Sequence, residues 1–223
     1  MPDAQISLSA AEPSGVAPAV VRKRPKPGER RIQILQALAE MLEQPGADRI
    51  TTAALAARLG VSEAALYRHF ASKAQMFEGL IEFIEHSVFT LVNQVADRGQ
   101  SDSPAVEAQP ATARQAGTMV AMVLQFAEKN PGMTRVMVGD ALVFEHARLQ
   151  LRMNQFFDKI EAALRQALRP LVEVSGTDTP SVDAQVMASA LTAFLVGRLH
   201  RYARSGFKRL PSEHLDASLA LML

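Results

Sequence analysis

Residues 51–73 read TTAALAARLGVSEAALYRHFASK, and this stretch predicts two short helices joined by a tight turn. Thr51 or Thr52 offers a hydroxyl N-cap to the first helix, whose alanine-rich sequence favours close packing. Gly60 suits the positive φ at which such a helix ends. The pattern therefore predicts a helix-turn-helix.

The second short helix carries most of the residues that we expect to meet DNA. Ser62 caps it, and we expect it to run from Glu63 to about Phe70. In a helix-turn-helix this helix enters the major groove, where alanine can contact thymine methyls and Arg68 can reach guanine or phosphate. Hydroxyls and helix N-termini suit phosphate oxygens. The candidate DNA-binding residues are Thr51, Thr52, Ser62, Glu63, Ala64, Ala65, Tyr67, Arg68, His69 and Lys73. The alternative is a structural helical hairpin with a polar rim that does not bind DNA.

Composition favours a helical protein without disulfides, a metal site or a catalytic site. The 223 residues are 48% hydrophobic but only 5% aromatic, and the aliphatic residues recur at helical spacing, which predicts an all-α fold. No cysteine is present, which excludes disulfides and thiolate chemistry. The five histidines lack metal-ligand spacing, and no phosphate loop or catalytic constellation is found. We expect no metal, no cofactor, no enzymatic activity, no membrane span and a cytoplasmic location.

The distribution of charge along the chain is more informative about nucleic-acid binding than the net charge of +1. Residues 22–31 hold six basic side chains against Glu29 alone. Residues 1–27 are rich in proline, alanine and serine, which predicts a disordered tail. The basic segment is either an arm that reaches phosphates or a minor groove, or a passive solvated tail.

The rest of the chain is divided by polar and proline-containing breaks, such as the loop at residues 97–110. Helices are predicted at about 29–44, 73–95, 111–129, 134–138, 142–169 and 182–205, with a short one after 211. We divide the chain into a basic tail (1–27), a DNA-binding domain (28–76) and a C-terminal helical domain for dimerisation and partner binding (77–223).

The segment from Ile50 to Phe77 resembles the DNA-binding domain of the TetR family. The shared pattern is a threonine-capped helix followed by Gly-Val-Ser, Leu-Tyr-x-His-Phe and Ser-Lys. The resemblance implies a three-helix DNA-binding domain, a long connecting helix and an all-α C-terminal domain. It also implies a homodimer built through a four-helix bundle, for which we expect the helices at 142–169 and 182–205.

A narrower resemblance, to the nucleoid occlusion members of the TetR family, covers residues 50–87 and 126–169. It implies a nucleoid-associated dimer that binds palindromic double-stranded sites, with room for more than one dimer per site. It further implies that the DNA-bound protein binds the division protein FtsZ and prevents ring assembly over the nucleoid. The resemblance implies an FtsZ-binding groove between the domains that includes three residues of this chain: Phe83, Lys129 and Asn130.

Alternatives remain open at several positions. Periodicity alone favours Phe83 as a core residue. The same fold also serves ligand-responsive repressors, whose pocket here would use Phe and Met residues that are equally typical of a core: Met137, Phe144, Met153, Phe156 and Phe157. Within the predicted helix at 142–169, charged residues are expected to pair along one helix face: Glu145 with Arg148 or Arg152, and Glu161 with Arg165.

Overall fold

The computed structural model describes residues 28–44, 49–99 and 108–223, except the side chains of residues 98, 99 and 108–111. The predicted tail 1–27 lies outside these ranges. All regular secondary structure within them is helical: α1 (Glu29–Leu42), α2 (Thr52–Leu59), α3 (Glu63–Tyr67), α4 (Lys73–Gly99), α5 (Ala108–Lys129), α6 (Pro131–Met137), a 3₁₀ turn (Asp140–Leu142), α7 (Ala147–Val174), α8 (Pro180–Arg204) and α9 (Leu215–Ala220). The all-α prediction is confirmed.

Several helix ends differ from the prediction for local reasons. Helix α3 ends at Tyr67, because the chain turns to bury Phe70, which is 1% exposed. Helix α6 starts directly at Pro131, since a proline at the first helical position has no N–H to lose. Helix α7 starts only at Ala147, because Gly139 adopts φ +83° and a 3₁₀ turn intervenes. The loop predicted at 97–110 is shorter, since α4 and α5 both extend into it.

The N-terminal helices α1 to α3 pack on the first half of α4 through one apolar core. Leu38, Leu55, Leu66 and Phe77 are each 1% exposed in it. Arg31 closes the edge of this core: its guanidinium lies 4.2 Å from the Phe70 ring centroid and donates to a backbone carbonyl of α3's trailing turn. The second half of α4 packs against α5 and α7, so this one helix carries a single continuous core from the N-terminal helices to the C-terminal ones. The proposed boundary at 76/77 falls within α4 and stays a prediction.

The two halves also meet directly, where α6 lies on α1. Gly132 approaches Ala39 so closely that an added Cβ would lie 1.9 Å from the Ala39 carbonyl oxygen. Nearby, the Tyr202 hydroxyl of α8 donates to the Glu128 carbonyl at 3.3 Å. Burial, and then the carboxylates of Glu128 and Glu43, raise the pKa of Tyr202 above its ordinary value. The end of α8 therefore lies close to the end of α1.

Helix α8 is a long helix with few charged residues in its central part. By length and composition alone it would qualify as a membrane span, with a mean hydropathy of 1.2 over an 18-residue window. One face of it packs against α7, with Leu191, Leu195 and Leu199 buried. We therefore interpret α8 as a core helix with one uncovered apolar face.

Candidate nucleic-acid interface

The caps of the helix-turn-helix follow the sequence prediction. Thr51 is the N-cap of α2, and its side chain accepts from the Ala54 N–H at 3.1 Å. Ser62 caps α3 in the same way, accepting from the Ala65 N–H at 3.3 Å. Gly60 ends α2 at φ +64° in the left-handed region, where a side chain would be strained. The predicted turn is confirmed.

A hydrogen bond that the sequence did not predict joins the two helices. The Thr52 hydroxyl donates to the Glu63 carboxylate at 2.5 Å. Both residues lie in the first turns of their helices, so the bond fixes how the α2 and α3 N-termini stand relative to each other. The Thr52 hydroxyl proton is thereby used within the protein, while its oxygen can still accept.

The candidate DNA-binding residues fall into two groups by exposure. Six of the ten are exposed: Thr51, Ser62, Glu63, Ala64, Tyr67 and Arg68. The remaining four are partly buried: Thr52, Ala65, His69 and Lys73. The Tyr67 side chain is 45% exposed even though it ends a five-residue helix, so it is free to reach outward.

The N-terminus of α4 lies next to this surface and is closed by two hydrogen bonds of Gln75. The Gln75 N–H donates to Ser72 Oγ at 3.2 Å, and the Gln75 side chain accepts from the Ala71 N–H at 2.8 Å. Lys73, in the first turn, does not point freely at solvent. Its ammonium pairs with the carboxylate of Glu145, which belongs to the C-terminal half of the chain.

Two further ion pairs tie α4 to α7 beside the Lys73–Glu145 pair. Arg148 Nε lies 2.8 Å from Glu78 Oε1, and Arg152 lies 2.6 Å from the Glu85 carboxylate. The prediction that Glu145 pairs with Arg148 or Arg152 along α7 is therefore wrong. The start of α7 lies against α4, so the opposite charges that are nearest to each other stand on different helices.

The second predicted pair along α7 is also absent. The Glu161 carboxylate accepts from the Gln185 amide of α8 at 2.5 Å, and Arg165 donates to the same Gln185 side chain at 3.1 Å. One polar side chain of α8 thus bridges the two charges and sets the register of α7 against α8.

The candidate FtsZ-binding residues lie on different elements: Phe83 on α4, Lys129 at the end of α5 and Asn130 at the start of α6. Phe83 is 49% exposed on α4, so the core interpretation from periodicity alone is wrong. Together with α1 it lines a cleft of about 400 Å³, whose walls include Ile32, Leu35 and Gly79. Sequence reasoning missed Ile32, which is 58% exposed, because helical spacing does not separate a residue in a core from one beside an open cleft.

Lys129 and Asn130 do not line this cleft. The Gln115 side chain donates to the Val95 and Ala96 carbonyls, which fixes the antiparallel register of α4 and α5. A distance of about 20 Å from that point, measured back along α4 and forward along α5, brings Lys129 level with Phe83. Asn130 is the N-cap residue of α6, and its amide donates to the Phe126 carbonyl at 2.7 Å. Lys129 is exposed, whereas Asn130 mainly terminates α5.

The residues considered for a small-molecule pocket do not form one together. Met137, Met153 and Phe156 are at most 2% exposed and belong to the core, whereas Phe144 is 68% exposed. Within the described ranges, no three histidine, aspartate or glutamate side chains are placed to hold a metal ion.

Comparison with known proteins matches both halves of the chain. Residues 34–80 match bacterial regulatory proteins of the tetR family, and residues 112–223 match a tetracyclin repressor-like C-terminal domain of SlmA type. The solved structure of the TetR-family regulator PfmR from Thermus thermophilus shares the fold, with a TM-score of 0.64 and 21% identity over 86% of this chain and 97% of that one. FadR from Bacillus subtilis superimposes with a TM-score of 0.63 at 13% identity, over 86% and 96% of the two chains. The fold and the capped helix-turn-helix define a TetR-type DNA-binding protein.

More similar relatives narrow this class. Nucleoid occlusion factor SlmA of Photobacterium profundum is 50% identical over 192 residues, which are 86% of this chain and 92% of the relative. Nucleoid occlusion factor SlmA of Vibrio cholerae serotype O1 is 48% identical over 194 residues, 86% and 93% of the two chains. The chain belongs to the SlmA family of nucleoid occlusion factors. Both resemblances inferred from the sequence are confirmed, and the roles of individual residues stay predictions.

Proposed function

We propose that this protein acts in the cytoplasm as a nucleoid occlusion factor. As a homodimer it binds palindromic chromosomal sites, and from those sites it binds FtsZ and prevents division-ring assembly over the nucleoid. The observation that carries the proposal is the 50% identity over 86% of the chain, which includes the C-terminal half. Since C-terminal domains of TetR-type proteins usually share no recognisable sequence, similarity there supports a shared partner as well as a shared fold.

The DNA-binding surface is the outer face of the helix-turn-helix. Ala64 and Arg68 are exposed on and beside α3, where a methyl group can contact thymine and a guanidinium can reach guanine. The N-termini of α2, α3 and α4 add backbone N–H groups that favour phosphate. This combination of base-reading and phosphate-binding groups supports sequence-specific binding.

The dimer uses the uncovered faces of α7 and α8. Leu151 and Val186 are each 61% exposed, and Ala190, Ala193 and Gly197 follow at helical spacing on α8. Small residues let two helices approach closely, and an isologous contact covers the same apolar face on both copies. Two copies of α3 would then stand about 34–36 Å apart, which matches successive major grooves of a palindrome.

The FtsZ-binding groove combines an apolar anchor with a nearby cation. Phe83 supplies the half-exposed ring, and Lys129 stands level with it on α5. A disordered acidic peptide suits such a site, because it loses entropy on ordering and depends on a few strong contacts.

The deciding experiment is sedimentation of FtsZ polymers with this protein, in the presence of its specific palindrome or of a scrambled duplex of equal length. We expect inhibition that grows with the palindrome and not with the scrambled DNA. If FtsZ never binds, and a small molecule instead releases the DNA, a ligand-responsive repressor of the same fold is the better assignment.

A further inference from the structure

Lys73 is directed away from the proposed DNA surface. Helical side chains usually lean towards the N-terminus of their helix, which for α4 is the end beside α3. The Lys73 ammonium instead lies 5.7 Å from the ring centroid of Phe77, one turn further along α4, and pairs with Glu145. Its charge therefore faces the C-terminal half of the chain.

Glu145 is held firmly in this position. Its side chain is only 9% exposed, and its backbone N–H donates to the Leu142 carbonyl at 3.0 Å. Leu142 and Leu149 on either side are buried in the core. Lys73 has more freedom, with a side chain 25% exposed at the end of a four-carbon stem. Of the two partners, Lys73 is the one that can turn outward.

We infer that Glu145 is an intramolecular counter-ion that competes with a DNA phosphate for Lys73. The inference rests on the proposed DNA contact of Lys73 and adds a residue of the C-terminal half that controls it. On DNA binding, the ammonium exchanges a carboxylate for a phosphate, and Glu145 loses its partner. Because linkage is reciprocal, whatever moves the segment 143–146 alters DNA affinity, and DNA alters that segment equally.

The neighbouring Arg148–Glu78 pair provides a matched control. It joins α4 to the first turn of α7 at 2.8 Å, three residues after Glu145, and neither residue is a candidate DNA contact. Removing either carboxylate changes the net charge by the same amount, so the long-range attraction of DNA rises equally. Only the Glu145 substitution also releases a cation beside the DNA surface.

The experiment measures specific-DNA affinity against salt concentration by fluorescence anisotropy. Glu145→Gln and Glu78→Gln are compared in the unmodified protein and in a Lys73→Ala background. We expect Glu145→Gln to tighten binding about three- to tenfold more than Glu78→Gln does, and to steepen the slope of log K against log salt by up to about 0.9, the value for one phosphate contact. In the Lys73→Ala background this extra gain should vanish. Glu145→Asp, which keeps the charge but shortens the reach, should shift both quantities less in the same direction.

Several outcomes would overturn the inference. Equal gains in DNA affinity from both glutamine variants would show that the effect comes from net charge alone. A gain that persists in the Lys73→Ala background would show that a group other than Lys73 causes it. Weaker binding by a Glu145→Gln protein whose thermal unfolding is normal would mean that the pair orients Lys73 for DNA. Arg68→Ala separates the two proposals: if it weakens binding while Lys73→Ala does not, the counter-ion role fails and the DNA surface stands. If the unmodified protein binds no DNA, both fall.

Discussion

Thr52 and Glu63 join the first turns of α2 and α3 through a hydroxyl-to-carboxylate hydrogen bond of 2.5 Å. The bond lies at the surface that would face DNA, so the geometry of the helix-turn-helix is set partly by polar groups outside its core. A carboxylate at the N-terminus of α3 also interacts favourably with the helix dipole.

Glu63→Ala removes this bond, and we expect it to lower the free energy of unfolding by about 0.5–1.5 kcal/mol in urea titrations. The same substitution removes a negative charge from the DNA-facing surface, so affinity for non-specific DNA should rise. Glu82→Ala, on an exposed turn of α4, is the control and should leave unfolding unchanged. A Glu63→Ala protein as stable as the control would show that the bond contributes nothing.

Tyr67→Ala and Arg68→Ala should each cost roughly 1–3 kcal/mol of specific DNA binding. Arg68 is exposed, so its removal should leave the Tm nearly unchanged. Lys159→Ala removes the same charge from an exposed position on α7 and should barely affect specific binding. Loss of stability with intact DNA affinity would reverse the assignment of Arg68.

Phe83→Ala and Lys129→Glu should each abolish inhibition of FtsZ assembly while leaving DNA affinity within about twofold, because the groove and α3 are different surfaces. Phe144→Ala removes an equally large exposed ring elsewhere and serves as the control, with inhibition retained. The assay is FtsZ sedimentation in the presence of specific DNA. If both groove variants still inhibit, the groove is placed wrongly.

Gly197→Leu tests the dimer without disturbing the protomer. A Cβ at Gly197 meets no atom within 4 Å, so the single chain has room for a side chain there. Two copies packed closely through α8 do not, and we expect a shift to monomers in light scattering together with about tenfold weaker binding to a palindrome. Gln125→Leu, exposed on α5, should stay dimeric. A Gly197→Leu protein that stays fully dimeric would show that this face of α8 is not the dimer interface.

Removing the cations of residues 22–26, with Arg22, Lys23, Arg24 and Lys26 all replaced by Gln, should weaken binding to every DNA sequence. The salt slope should flatten by about 0.9 for each phosphate that the segment no longer neutralises. The length of the tail is unchanged, so chain entropy is matched. An unaltered slope would identify the basic segment as a passive tail.

Sequence patterns predicted the fold well wherever the signal is local. The caps at Thr51 and Ser62 and the turn at Gly60 each depend on a few adjacent residues, so they could be read directly from the chain. The end of α3 could not, because it depends on the burial of Phe70 against distant helices and on the Arg31 contact with the His69 carbonyl.

The parts of the candidate site that could not be predicted depend on contacts between distant segments of the chain. Lys73 and Glu145 are 72 positions apart, so spacing along one helix assigned Glu145 to the wrong partners. Periodicity cannot distinguish an apolar residue in a core from one beside an open cleft. For that reason it did not single out Ile32 and, without the family resemblance, it assigned Phe83 to the core.

The contact of Gly132 with the Ala39 carbonyl leaves no room for even a methyl group. A cell whose only copy of the gene carries Gly132→Ala would therefore make a protein in which α6 and α1 are pushed apart. We expect such an allele to be heat-sensitive: near-normal at low growth temperature, and defective in every activity together when warming loosens the strained joint.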